Sequence, residues 1–257
     1  SPEEPAIEWV RVNGSWEHRK NRAEAEKGVK RVDEIISRRN PPSVGIITFN
    51  ANQKELIQNL LERKARDDHG FYRKYKRERE RMQDEEVQSL FVKNIENVQG
   101  DERDVIIFSI GYAPSPAGNV VAQYGSLAAE GGENRLNVAI SRAREKIYVV
   151  GSIAPEDLPV NDGSPAGPKL LKEYLRYAKF VSEGKIRDAH SLLQSLSRLS
   201  GGTTMQATEA SPLAAKLAAL LAENGLEVDA KIGASAHGLE LAVISSRKPL
   251  KYSLGIE

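Results

Sequence analysis

Two permanently charged side chains, Arg135 and Arg142, stand seven positions apart in the stretch Gly131-Gly132-Glu133-Asn134-Arg135-Leu136-Asn137-Val138-Ala139-Ile140-Ser141-Arg142-Ala143-Arg144. Read as a helix, this stretch puts Leu136, Ala139, Ile140 and Ala143 on one apolar stripe and sets both arginines along its flank, two turns apart. A guanidinium is forked and always charged. A pair aimed together suits phosphate oxygens, above all those that gain charge during phosphoryl transfer. The simpler alternative is a surface ion pair between Arg142 and Glu145. A second polar stretch, Ile95-Glu96-Asn97-Val98-Gln99-Gly100-Asp101-Glu102-Arg103-Asp104, lies between two apolar runs and so belongs to a loop at a sheet edge, where open α/β sheets hold ligands. Gly100 permits close backbone approach there, Glu102 can accept hydrogen bonds from sugar hydroxyls, and Gln99 can both donate and accept. Asp101-Glu102 has the look of a metal-holding acidic pair. Such a pair follows its strand, however, and here the apolar run Val105 to Ile110 comes after it.

A third stretch is basic. Residues 71 to 81, Phe-Tyr-Arg-Lys-Tyr-Lys-Arg-Glu-Arg-Glu-Arg, interleave cations with Phe71, Tyr72 and Tyr75, as a nucleic-acid surface would. Glu78, Glu80, Asp84, Glu85 and Glu86 follow closely, so a solvated helix laced by ion pairs is the simpler expectation. Over the whole chain, 37 basic and 36 acidic residues leave a net charge of +1, and total charge therefore selects no partner. The 257 residues include no cysteine, which excludes a disulfide framework, a thiolate zinc site and a cysteine nucleophile, and suits a reducing compartment. The longest apolar runs, such as Val105 to Phe108 and Ile147 to Val150, fall far short of the roughly 20 residues that cross a bilayer. No membrane partner and a cytoplasmic location are expected.

The elements that must carry these groups follow from hydrophobic period. Short apolar runs alternate with amphipathic segments over the first 150 residues, the pattern of an α/β domain with a doubly wound parallel sheet. Ile7 to Val12 reads as an edge strand. Asn21 caps a helix to about Ser37, with Ala25, Val29, Val32 and Ile36 on one stripe, and Asn40-Pro41-Pro42 stops it. Val44 to Phe49 reads as a strand buried on both faces. Asn50 or Asn52 opens a helix that buries Leu56, Ile57, Leu60 and Leu61. Further strands are expected at Leu90 to Val92, Val105 to Ile110 and Ile147 to Val150, the last preceded by a helix from about Glu133 to Arg144. Repeated Pro and Gly after Gly151 then break the chain. This gives an α/β domain over 1–152, a linker and helical segment over 153–204, with 169 to 198 helical, and a further module over 205–257. In that module Ser211-Pro212 opens a helix to Glu223, and strands are expected at 226 to 232, 239 to 244 and 252 to 256.

At this level of detail the first 152 residues resemble a known family. Val44-Gly45-Ile46-Ile47-Thr48 with Gln53 is similar to motif IV of superfamily 1 helicases, Val98-Gln99-Gly100-Asp101-Glu102-Arg103-Asp104-Val105-Ile106 to motif V, and Arg135-Leu136-Asn137-Val138-Ala139-Ile140-Ser141-Arg142-Ala143-Arg144 to motif VI. Order and spacing agree, and the likeness is to the second RecA-like domain of the Upf-like group. The resemblance implies a RecA-like parallel sheet flanked by helices. It also implies an ATP-driven motor on single-stranded nucleic acid, DNA in preference to RNA, with ATP and Mg2+ held mainly by a first RecA-like domain outside this sequence. By the same resemblance Arg142 is the arginine finger on the γ-phosphate, Arg135 is a second motif VI arginine, and Gln99, Gly100, Glu102 and Gln53 contact the nucleotide. Thr48, Asn94, Glu96 and Asn97 fall where the family grips the sugar-phosphate backbone. Many relatives have Pro-Tyr after the motif IV threonine, whereas this chain has Phe49-Asn50.

No G-x-x-x-x-G-K-[ST] loop occurs in the sequence; Gly184-Lys185 is followed by Ile186. Without that phosphate cradle an arginine finger has little to act on, so this polypeptide alone is expected not to hydrolyse ATP. The acidic, Pro-rich start Ser1-Pro2-Glu3-Glu4-Pro5 likewise suggests a piece of a longer chain. Residues 205–257 resemble the opening of restriction-endonuclease-like, Vsr-type domains attached to bacterial helicases of this group. That resemblance puts Glu240 and Glu257 at acidic, metal-holding positions. The remainder of such a site, including its lysine, is not in the sequence, so no complete metal site is expected. Two rival functions stand beside the motor: a noncatalytic nucleic-acid-binding or scaffold fragment, and part of a metal-dependent nuclease.

Overall fold

The computed structural model describes residues 5–83, 86–120 and 123–199, together with the backbone of 228–232, 239–244 and 252–256. The chain opens with β1 (Ile7–Arg11) and continues to α1 (Arg22–Ile36), whose first turn is closed by Asn21, the side chain of which accepts the Glu24 N–H. β2 (Val44–Thr48) follows the proline pair, and Asn50 caps α2 (Ala51–Asp67) by accepting the Gln53 N–H. Asp68 caps α3 (His69–Arg79), and a short antiparallel hairpin follows, β3 (Met82–Gln83) with β4 (Glu86–Val87). β5 (Phe91–Asn94), β6 (Arg103–Ser109), α4 (Gly132–Ile140), β7 (Ala143–Gly151) and α5 (Ala166–Ser182) complete a first compact unit, which ends at Lys185.

Its five-stranded sheet runs in the order β1-β7-β6-β2-β5, and every neighbouring pair is parallel. Parallel strands cannot be joined by hairpins, so helices cross both faces and bury both. Val105 and Ile107 of β6 face one core with Ile46, Tyr148 and the apolar stripes of α1, α2 and α3. Ile106 and Phe108 face the other, with Ile47, Val149, Leu136 of α4, and Leu171, Leu175 and Ala178 of α5. The strand period of two thus sorts one continuous apolar run into two cores. This is the α/β, RecA-like architecture expected, with β1 at an edge as its sequence indicates. α5, which falls in the segment expected to follow the α/β domain, is integral to the second core, and its Ser182 Oγ accepts the Trp9 N–H at 2.9 Å.

One expected element differs. The helix read from about Glu133 to Arg144 stops at Ile140, and Ala143 and Arg144 already belong to β7. The apolar stripe Leu136, Ala139, Ile140, Ala143 fits a helix, but strand pairing captures its last member. The Arg103 N–H of β6 donates to the Arg142 carbonyl at 3.0 Å, and Arg103 pairs in register with Ala143. A ladder bond to a neighbouring strand outweighs one further turn of local helix.

The second unit holds α6 (Ile186–Leu199) and an antiparallel sheet of β8 (Val228–Ile232), β9 (Leu239–Ile244) and β10 (Tyr252–Ile256) in the order β10-β9-β8. Glu240 lies in β9; Glu257 and the helix expected from Ser211 to Glu223 lie outside the described residues. Among the described residues no helix is long and apolar enough to cross a membrane.

Candidate functional site

Parallel strands give the sheet two chemically distinct ends, and the residues singled out in the sequence divide between them. At the end where β6 and β7 begin, residues 98–102, the last part of the loop between β5 and β6, are pinned from several sides. Lys93 pairs with Asp101, Asp104 accepts from both the Ser43 N–H and its hydroxyl at 2.7 and 2.8 Å, and the Asp101 N–H donates to the Val98 carbonyl at 3.3 Å. Gly100 sits in that turn at φ +83°, with open space where a Cβ would stand, so within the chain it is the turn conformation that requires glycine. Gln99, Gly100 and Glu102 are all exposed. Arg103 is buried: its Nε donates to the Ser89 carbonyl at 2.9 Å and its guanidinium lies 4.9 Å from the centre of the Phe91 ring. It is a strut that aims its neighbours, and burial lowers its pKa.

The ladder bond from Arg103 to Arg142 places the next side chains together. The Glu102 carboxylate, 46% exposed, lies 3.7 Å from Arg142 Nη1 and 3.4 Å from Arg144 Nε. Arg142 is 16% exposed; its Nε donates to the Val138 carbonyl and its Nη2 to Ser141 Oγ, both at 2.9 Å. Arg142 therefore faces Glu102, not Glu145 three residues on. Arg135 is held elsewhere, since its Nη1 donates to the Ser126 and Glu130 carbonyls at 3.2 and 2.9 Å and fixes the loop before α4. The matched pair of guanidinium groups expected along one helix is not formed, because the helix ends between them. In its place stands a cluster of one carboxylate and two arginines at the sheet rim, whose second arginine, Arg144, has no role among the sequence expectations.

The opposite end gathers Thr48, Asn94 and Ser109, which are level with one another in the sheet register. Thr48 is buried and its hydroxyl donates to the Asn50 carbonyl at 3.0 Å; Asn94 Oδ1 accepts the Ile95 N–H at 2.9 Å and starts a single 3-10 turn over Ile95–Asn97. Glu96 and Asn97 on that turn are exposed. Of the four residues expected to grip a strand, these two present side chains to solvent. Phe49 is buried against Phe108 and Tyr112, and Asn50 caps α2, so both residues that depart from the family pattern serve the fold.

Gln53 is also at this end. Its Oε1 accepts the Asn21 N–H at 2.7 Å, and its Nε2 donates to the Asn21 carbonyl at 2.9 Å and to Ser109 Oγ at 3.0 Å. Ser109 stands at the far end of β6 from Arg103, roughly 20 Å along the strand, so the structure does not bring Gln53 to Gln99, Gly100 and Glu102. It joins instead a fully buried polar network. Glu24 Oε2 accepts the Gly111 N–H at 2.6 Å and the Ser109 hydroxyl at 3.3 Å, while Asn21 Nδ2 donates to Glu24 Oε1 at 3.1 Å and Ser152 Oγ at 2.8 Å. Burial pushes the Glu24 carboxyl up to about 7, against the pull of the Gly111, Ser152 and Ser109 hydrogen bonds. The one sequence signal for this network is the Asn21-Arg22-Ala23-Glu24 spacing of a capping box.

The donors present suit one side of a phosphate site. Arginines reach the β6–β7 rim, but no phosphate-cradling glycine loop exists in the sequence, and among the described residues no cluster of three or more acidic or histidine side chains is placed to hold a metal ion. A phosphate would thus meet arginine donors at this rim on one side only.

A family model described as AAA domain matches residues 7–154. The protein named Uncharacterized ATP-dependent helicase MG140 in Mycoplasma genitalium is 40% identical over 176 residues, covering 68% of this chain and 15% of that protein. Its homolog in Mycoplasma pneumoniae is 39% identical over 175 residues, again with 68% and 15% covered. The chain spans about 15% of the length of the curated relatives it matches.

Proposed function

We propose, from the premise that this chain belongs to the AAA domain family, that it is the second RecA-like half of an ATP-dependent nucleic-acid helicase or translocase. The observation that carries this reading is the exposed rim cluster, in which strand pairing sets Arg142 beside Glu102 at the start of β6 and β7. Motif likeness to the Upf-like group and the helicase names of the mycoplasmal relatives point the same way. In this reading the nucleotide binds between the rim and a first RecA-like domain that holds the phosphates. Mg2+, bound with ATP on that other domain, supplies charge neutralisation at the phosphates.

Arg142 acts from this side. Its charge is permanent and its link to Glu102 is long, so an incoming phosphate with more negative charge draws it over. Glu102, still beside Arg144, is then left to accept hydrogen bonds from the nucleotide's sugar, with Gln99 and Gly100 on the same exposed turn. Arg135 supports α4 through the carbonyls it holds. Glu96 and Asn97, at the other end of the sheet, contact the single strand, and DNA is the favoured substrate.

The noncatalytic scaffold reading has one observation in its favour: all three guanidinium nitrogens of Arg142 have partners within the chain. A single assay separates the two. In the full-length parent, Arg142→Ala is expected to lower strand-stimulated ATP hydrolysis by about 10³-fold while nucleic-acid affinity is kept. An unchanged rate would overturn the motor reading and leave the scaffold. The chain on its own is expected to be inactive toward ATP.

A further inference from the structure

The basic, tyrosine-bearing stretch from 71 to 81 takes no part in the function proposed above, and the fold divides it in two. Phe71 and Tyr75 are buried and stacked on each other, with ring centroids 5.4 Å apart at 15°. Tyr72 is left 43% exposed, and His69 meets its ring edge-on at 6.4 Å. The expected lace of ion pairs also forms in part only. Arg77 and Arg81 both go to Glu78 at 2.9 Å, and Lys64 and Lys74 go to Asp33 at 3.1 and 3.9 Å. Among the described residues, Arg66, Arg73, Lys76 and Arg79 have no carboxylate within ion-pair distance.

Three of these, Arg66, Lys76 and Arg79, the last with its guanidinium 5.7 Å from the centre of the Tyr75 ring, share one place. The last turns of α2 and the length of α3 line an open groove of about 670 Å³ that includes Arg66, His69, Tyr72, Lys76 and Arg79. Tyr72, Lys76 and Arg79 stand at i, i+4 and i+7, one stripe of the helix. Glu62 and Glu80 also line the groove, so its pull on polyanions is moderate and the aromatic surface must contribute. An acidic peptide would satisfy the cations but offers no flat face to the tyrosine and histidine rings. A nucleobase does both, with its ring on the aromatics and its phosphates on the cations. The volume lies within the range of pockets that take a small ligand, enough for one base and its sugar, while the open side lets the backbone continue.

We propose that the α2–α3 groove is a separate single-stranded nucleic-acid contact, in which a base stacks on Tyr72 and the flanking phosphates lie along Arg66, Lys76 and Arg79. The site is independent of the rim cluster and of the turn at Glu96 and Asn97. The test is fluorescence anisotropy of the whole 257-residue chain with labelled oligothymidylate and oligouridylate at several salt concentrations. Tyr72→Ala is expected to weaken binding on the order of tenfold, and Tyr72→Phe, which keeps the ring, to leave it nearly unchanged. Lys76→Gln should reduce the slope of log affinity against log salt by about 0.7. Both side chains lie at the surface of the groove, and matching thermal unfolding midpoints confirm an intact fold. Asn97→Ala serves as the reference for the other strand contact. If Asn97→Ala weakens binding while Tyr72→Ala does not, the groove proposal is overturned and the motor reading stands. If Tyr72→Ala alone weakens it, the groove is supported and the strand role of Asn97 fails. Absence of oligonucleotide binding, or displacement by polyglutamate as effective as by unlabelled oligonucleotide, would also overturn the proposal, the latter by making the groove a general polyanion surface.

Discussion

Polar side chains in this chain differ in how far along the sequence their partners lie. Asn21 and Asn50 close helices through N–H groups three residues on, and their roles are legible in the sequence because helix caps are local. Glu24 follows the same local logic and would be read as the reciprocal member of a capping box. Its carboxylate instead accepts from Ser109 and Gly111, 85 and 87 residues further along. Enclosure there raises its pKa from the ordinary 4.5 to about 7, which has a sign for stability. Between those two values the folded state keeps a proton that the unfolded chain releases. The stabilising contribution is therefore complete below about pH 4.5 and is lost as pH rises through about 7. The loss is on the order of 3 kcal/mol across the window. Glu24→Gln, which cannot ionise, is expected to show a much flatter unfolding midpoint between pH 5 and pH 7.5 than the parent, as measured by thermal melts. A parallel fall in both proteins would place the titrating group elsewhere.

Elements follow their sequences where a single period governs, and fail where two periods meet. The run from Leu136 to Ala143 has helical spacing throughout, yet the sheet takes its end because Arg103 offers a ladder partner there. That trade moves Arg142 off the helix and onto the rim, next to Glu102. A second decision at this scale is how closely α4 and α5 approach. A Cβ on Gly132 or on Gly167 would overlap the Leu127 carbonyl oxygen, which is backbone and has no room to give. Gly132→Ala is expected to lower stability by about 2 kcal/mol, or roughly 4–8 °C in the melting midpoint. Gly28, inside α1, has nothing within 4 Å of a Cβ and an ordinary helical backbone. Gly28→Ala should accordingly raise stability by about 0.5–1 kcal/mol. Equal effects of the two substitutions would refute the close-approach account.

At the scale of the molecule, a chain break in the sequence does not mark the end of a packed body. The Pro- and Gly-rich stretch after Gly151 marks a change of texture, and α5 beyond it folds back to bury Leu171, Leu175 and Ala178 completely. Removing that helix would uncover apolar side chains worth about 1.5–3 kcal/mol each for the leucines, a large part of a domain's net stability of about 5–15 kcal/mol. A polypeptide ending at residue 185 is expected to unfold cooperatively in denaturant, and one ending at 152 to show no cooperative transition; equal transitions would mean that α5 is dispensable. The two-ended sheet decides which candidate residues lie together, since Gln53 and Glu102 sit at opposite ends of β6. From the sequence alone came the α/β class, the five sheet strands, the cap at Asn21, the choice of Asn50 or Asn52 for the next helix, and the motifs, because each of these depends on neighbours within a few turns of chain or on a run of apolar residues. Only the tertiary structure decided that Arg142 and Arg144 both meet Glu102, that Arg135 and Gln53 are held by partners of their own, and that Tyr72 is the exposed aromatic ring of its basic helix. Those outcomes depend on strand order and on which faces become buried, and both are settled by contacts between residues far apart in the chain.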